Sequence, residues 1–141
     1  MLKTIHPLLT GDLLAILADM GHGDEIVITD RNFPAAAAAT TQLVTLPGIP
    51  ATDVLHAILT LLPLDDFVDS PAAVMAAPGE RPAIYAAFDT ILAESEGRAI
   101  QVDIIDRFAF YDRAKAAFAV VSTGESRLYG NIILKKGVIR A

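Results

Sequence analysis

Three stretches of this 141-residue chain hold side chains suited to moving protons or gripping hydroxyl groups. The first runs Gly21-His22-Gly23-Asp24-Glu25-Ile26-Val27-Ile28-Thr29-Asp30. Two glycines bracket the histidine, so the backbone can take positive φ there and the imidazole stands clear of neighbouring Cβ atoms. Asp30 follows the apolar run Ile26–Ile28, at the carboxyl end of a buried strand, where open α/β sheets tend to place ligand groups. The second stretch, Asp103 to Tyr111, ends a strand and opens a helix, which sets Arg107 beside free backbone donors and suits a neutral polyol. The third is Tyr129-Gly130-Asn131, whose phenol and carboxamide lie two apart and would share one face of an extended segment, an arrangement fit for sugar hydroxyls. Each has a plainer reading from spacing alone. His22 reads equally as a turn histidine, Arg107 as a partner of Asp103 or Asp106 on the surface, and Tyr129 as a packed turn residue.

Other chemistries find no residues to carry them. There is no Walker loop and no Gly-x-Gly-x-x-Gly after a strand, and His6, His22 and His56 are not spaced as a metal site, so neither cofactor nor metal is expected. His6 and His56 read as surface or packing residues. Cysteine is absent, which excludes a disulfide framework and a thiolate nucleophile and fits a cytoplasmic setting. The 11 basic residues are dispersed among 17 acidic ones, for a net charge of −6, which argues against nucleic acid as a partner. Neither a signal-like start nor a run of about 18 apolar residues is seen, so no membrane role is expected. The hydrophobic share of 53% exceeds the usual 45–50% or so of soluble domains, which points to apolar surface used between subunits.

The elements that must position these residues follow from periodicity. Leu13, Leu14, Ile16, Leu17 and Met20 recur at helical spacing behind Thr10 as N-cap, with Gly21 at the helix end. A strand over 25–29 follows, then a turn at Asn32-Phe33-Pro34 and an alanine run over 35–39 that reads as a short helix. Strands are predicted over 42–46, 72–77, 99–105, 118–122 and 131–135. Helices are predicted from a cap at Thr52 or Asp53 through Leu62, over 83–94 ending near Gly97, and over 107–117 behind Asp106. Lys135-Lys136-Gly137 reads as a solvated strand end. Alternating helices and strands with no linker predict one α/β domain over 1–141, three-layer α/β/α, around a mixed, mostly parallel sheet.

Taken together, Gly21 to Ile26 with Asp30 and Phe33-Pro34, then Arg107-Phe108-Ala109-Phe110-Tyr111, then Tyr129 to Gly137 resemble the L-fucose mutarotase and D-ribose pyranase family. The likeness is close over 1–34 and 103–138 and loose between about 35 and 100. It implies that His22 is the proton donor and that Asp30, Arg107, Tyr129, Gly130 and Asn131 bind the sugar. It also implies a ring-built homo-oligomer, commonly a decamer, with pockets near subunit contacts. The ribose enzymes resemble one another in carrying histidine at the position of Arg107, so arginine points to the L-fucose branch. D-ribose, another related sugar, and a sugar-binding module without turnover remain alternatives.

Interconversion of sugar anomers suits these residues. Opening the hemiacetal ring needs one proton delivered to the ring oxygen and another taken from the anomeric hydroxyl, and closure on the other face reverses both. A free imidazole titrates near pH 6.5 and serves either transfer, a contribution of about 10²–10⁴-fold. Asp30 is read as orienting that imidazole or accepting sugar hydroxyls. One geometric obstacle arises from the sequence itself: a straight strand over 25–29 would hold His22 and Asp30 more than about 20 Å apart. Either the flanking turns fold inward, or a neighbouring subunit completes the pocket.

Overall fold

The computed structural model describes residues 1–141. Its centre is β1 (Glu25–Thr29), in which the apolar run is buried on both sides. Ile26 and Ile28 join a core shared with helices α1 (Gly11–Asp19), α3 (Ala51–Leu59) and α4 (Ala83–Glu96). Val27 faces the other way, into a second core with the short α2 (Ala35–Ala38) and α5 (Arg107–Ala116). Alternate side chains of one strand therefore divide between two helical layers, which is why the strand reads as continuously apolar rather than alternating. Each such residue contributes about 1.5–3 kcal/mol through burial.

The remaining strands are β2 (Leu43–Leu46), β3 (Ala72–Met75), β4 (Val102–Ile105), β5 (Ala119–Thr123) and β6 (Ile132–Lys135), in the spatial order β2-β5-β1-β6-β3-β4. The pairs β1–β5, β2–β5 and β3–β4 are parallel, and β6 runs antiparallel to both of its neighbours. The expected three-layer architecture with a mixed, mostly parallel sheet is the one observed.

Register then assigns the functional stretches to two ends of the sheet. Ile132 pairs with both Ile28 and Val74, so the entry to β6 lies beside the carboxyl ends of β1 and β3. Asp30, Asn131 and Met75 meet there, and the step from β4 into α5 adds Arg107 to the same edge. At the opposite end Glu25 pairs with Lys135, and the Gly23 N–H donates to the Lys136 carbonyl at 2.9 Å. The turn carrying His22 is tied to that end.

Three expectations about elements change. The helix expected from a cap at Thr52 or Asp53 through Leu62 spans Ala51–Leu59 instead, with its cap position two or three residues earlier at Pro50 and no side-chain cap of its own. Its first amide instead donates to Glu125, 74 residues away in sequence. The strand expected over 99–105 pairs only from Val102. Gly137, read as part of a solvated strand end, is buried: a Cβ there would stand 2.8 Å from the carbonyl carbon of Leu64.

Candidate active site

Asp30, Arg107, Tyr129 and Asn131 line one cleft of about 190 Å³ at the carboxyl end of the parallel strands. Asp30 is its most constrained member. Its Oδ1 accepts from the Asn32 and Phe33 amides, both at 2.9 Å, and so caps the turn that leaves β1. Its own N–H donates to Asn131 Oδ1 at 2.7 Å, and Asn131 Nδ2 donates to Asp30 Oδ2 at 3.3 Å. The two residues form a reciprocal pair that fixes the carboxamide orientation. Oδ2, holding only this one long bond, keeps accepting capacity toward the cleft.

Tyr129 and Asn131 share the cleft, though not as an extended segment. Tyr129 has φ of +61°, a left-handed conformation unusual for a bulky residue, and the Asn131 N–H donates to the Tyr129 carbonyl at 2.8 Å. A tight turn, rather than strand alternation, brings phenol and carboxamide together. Gly130 lies inside that turn, where a Cβ would fall 2.7 Å from Glu125 Cγ and 3.1 Å from the Arg127 carbonyl. Only glycine fits.

Arg107 stands first in α5 and is exposed. It makes no ion pair, so the pairing with Asp103 or Asp106 read from spacing does not form; its guanidinium lies over the Phe108 ring, 5.1 Å from the centroid. Two of the backbone donors expected beside it are already used, because Asp106 Oδ1 accepts from the Phe108 and Ala109 amides at 2.9 and 3.0 Å. The guanidinium fork itself has no hydrogen-bond or ion-pair partner within the chain.

The apolar side of the cleft was less legible in the sequence. Phe33 and Tyr111 meet edge to face with centroids 5.4 Å apart, and Met75 and Leu128 complete the lining. Phe33 and Tyr111 belong to the motifs themselves. Met75 gave no signal, since it ends an apolar strand and reaches the cleft only because β3 lies beside β6. Tyr85 anchors that strand end by donating its hydroxyl to the Met75 carbonyl, and burial pushes its pKa up to about 12.

His22 lies elsewhere. It occupies the turn before β1, at the amino end of a strand that runs unbroken to Thr29, so β1 separates it from Asp30 by roughly 20 Å. The turns do not fold inward to close that distance. Gly23 takes φ of +86°, as expected, whereas Gly21 does not need positive φ; its amide donates to Asp24 Oδ2 at 2.7 Å. The imidazole is exposed, 5.1 Å from the Phe67 ring, with Nε2 3.1 Å from Asp65 Oδ1. Asp65 is therefore the group that orients the imidazole, in place of Asp30. Burial opposes the ionisation of Asp65, but donation from the Phe67 amide and from His22, with Lys135 nearby, lowers its pKa. Sequence spacing had no means of finding Asp65, 43 residues from His22. It is delivered by the bond from its own N–H to the Lys135 carbonyl at 3.0 Å.

One chain thus carries a cleft that sets a carboxylate, carboxamide, phenol and guanidinium against apolar walls, and a separate imidazole paired with a carboxylate. Known proteins carry the same fold and much of the sequence. The chain is 44% identical to the L-fucose mutarotase of Actinobacillus pleuropneumoniae, over 98% of this chain and 97% of that one. It is 45% identical to the fucose mutarotase of Homo sapiens, with 98% and 94% covered. The crystal structure of the fucose mutarotase of Streptococcus pneumoniae in complex with L-fucose superposes with a TM-score of 0.93 at 40% identity, covering 99% of this chain and 100% of that one. Residues 3–139 match the RbsD / FucU transport protein family, and with relatives this similar over nearly the full length, the chain belongs to that family.

Proposed function

We propose that this chain is an isomerase that interconverts the α and β anomers of L-fucose by acid–base ring opening and closure. The observation that carries the reading is the cleft in which Asp30, Asn131, Tyr129 and Arg107 converge, within a chain 44–45% identical to fucose mutarotases. Asp30 Oδ2 accepts a sugar hydroxyl, Arg107 donates to others through its planar fork, and Tyr129 and Asn131 fix the pyranose between them. Phe33, Met75, Tyr111 and Leu128 supply apolar surface for the C5 methyl of a 6-deoxy sugar. The free guanidinium of Arg107, in place of histidine, favours L-fucose over D-ribose.

His22 is the proton donor in this reading, held by Asp65, and it reaches the sugar across a subunit contact. Two features support that. His22 and the cleft lie at opposite ends of β1, and each end presents uncovered apolar side chains: Phe67 (66% exposed) beside His22, Phe108 (66%) and Leu128 (65%) beside the cleft. Two different patches meeting head to tail make a heterologous contact, the kind that builds a ring when its rotation closes. A ring-built homo-oligomer fits this contact, and the family resemblance supports reading it as a cytoplasmic decamer. General acid catalysis by the imparted imidazole supplies about 10²–10⁴-fold, and the remainder comes from orientation of the ring in the cleft.

The separation of imidazole and cleft within one chain also favours a second reading, sugar binding without turnover. Anomer-exchange NMR on purified protein with L-fucose distinguishes the two. Exchange well above the water rate, falling by about 10²-fold or more in His22→Ala with the assembly intact, supports the enzyme. Sugar binding with no enhanced exchange supports the binding module.

A further inference from the structure

Glu125 does not line the cleft, yet its hydrogen bonds reach both the turn after Asp30 and the loop before Tyr129. Its side chain is 2% exposed. Oε1 accepts from the Arg127 amide at 2.9 Å and from Arg127 Nε at 2.8 Å, while Oε2 accepts from Arg127 Nη2 at 2.8 Å and from the Ala51 amide at 3.1 Å. The carboxylate thus caps α3, which has no cap of its own, and clamps the loop that leads to Tyr129. Its Cγ fills the space above Gly130 that any Cβ would claim. Its backbone carbonyl accepts from the Arg31 amide at 3.1 Å, next to Asp30, and its N–H donates to Thr123 Oγ1, which in turn donates to the Thr29 carbonyl at 2.7 Å.

We infer that Glu125 is a positioning residue for the sugar cleft: its clamp on Arg127 and on the start of α3 holds Tyr129 in the left-handed conformation and keeps Asn131 against Asp30. A bulky residue with φ of +61° persists only where its surroundings over-determine the backbone. Here those surroundings are the carboxylate clamp on one side of Tyr129 and the Asn131–Asp30 pair on the other. Arg127 strengthens the clamp by reaching Thr52 Oγ1 at 3.3 Å, so loop and helix are joined twice. When the clamp is released, the turn relaxes, and the groups that grip the ring in its ground state disperse. The imidazole, at the other end of β1, is unaffected.

The inference rests on the L-fucose reading, and the test separates the two. Full-length Glu125→Gln and Arg127→Met are compared with the unmodified chain for L-fucose affinity by NMR titration and for KM and kcat by anomer exchange. Ile58→Val, which mildly destabilises α3 from its buried face, serves as the control for stability alone. Weaker binding and a higher KM are expected, by about tenfold in Glu125→Gln and about threefold in Arg127→Met, with kcat at saturation changed far less and Ile58→Val unchanged. The double variant Glu125→Gln with Arg127→Met, which leaves no buried charge unpaired, keeps the proposal falsifiable if either single variant does not fold. Unchanged affinity in the folded variants, or an equal loss in Ile58→Val, would overturn the inference while leaving the activity standing. Binding without exchange in the unmodified chain would overturn the activity alone, and affinity would then carry the test. Absence of both would overturn the two together.

Discussion

Lowering the pH should remove the stability that one carboxylate contributes, and Glu125→Gln isolates it. The Arg127 guanidinium beside Glu125 holds its pKa at about 2, against an ordinary 4.5. A depressed carboxylate contributes stability that is fully present above its unfolded pKa and is lost as pH falls through the folded one. The window therefore runs from about pH 5 down to about pH 2. At about 1.4 kcal/mol per pH unit, the contribution at neutral pH is on the order of 3 kcal/mol, and exposure of the Arg127 head to solvent reduces it toward about 2. Glutamine is nearly isosteric and cannot ionise, so the variant lacks this dependence while keeping the packing over Gly130. Asp65 and Asp66, whose pKa values are also lowered, lose stability in the same direction in both proteins and cancel in the difference. Urea unfolding at one protein concentration, from pH 7 to pH 2, reads the gap between the two curves. The gap should narrow by about 2–3 kcal/mol across the window. A gap that stays constant would mean that the Glu125 carboxylate gains nothing from Arg127 and the Ala51 amide, and the reasoning about the clamp would fail.

Other outcomes follow from single positions. Arg107→His should weaken exchange on L-fucose more than on D-ribose, mainly through binding, because the imidazole is shorter and offers fewer donors; parallel NMR exchange at several sugar concentrations checks this, and equal losses on both sugars would contradict it. Asp65→Asn should lower kcat by about tenfold with KM for L-fucose unchanged, since Asp65 touches His22 and not the cleft. Gly137→Ala drives a Cβ into the backbone of Leu64, so thermal unfolding should show a loss of about 1–3 kcal/mol, with displacement of the 63–65 segment visible as disturbed His22 resonances.

Much of this arrangement was legible in the sequence because local chemistry sets it. The apolar run of β1, the Thr10 and Asp106 caps and the glycine after α4 each carry a short-range signal, and their order implies the layered sheet. The members of the cleft were legible too, because Asp30, Arg107, Tyr129 and Asn131 sit at element ends, where polar residues are conspicuous. What escaped is non-local. The cap of α3 comes from Glu125, the orienting carboxylate for His22 comes from Asp65, and the floor of the cleft comes from Met75; each depends on which strands lie side by side. The turn at Tyr129 escaped for a different reason, since a left-handed tyrosine runs against its own propensity and is imposed by the residues packed around it.

The central claim is that one subunit supplies the imidazole and another the cleft, and mixing two disabled chains tests it directly. His22→Ala keeps its cleft and Asp30→Ala keeps its imidazole, so each homo-oligomer should be inactive in L-fucose anomer exchange. Dissociated together and reassembled in equal amounts, they place an intact His22 against an intact cleft at about one contact in four, if the head-to-tail contact is the site. Recovery of about a quarter of the unmodified exchange rate is the predicted result. A mixed assembly that remains inactive, while the unmodified chain survives the same treatment with full exchange, would contradict the shared site.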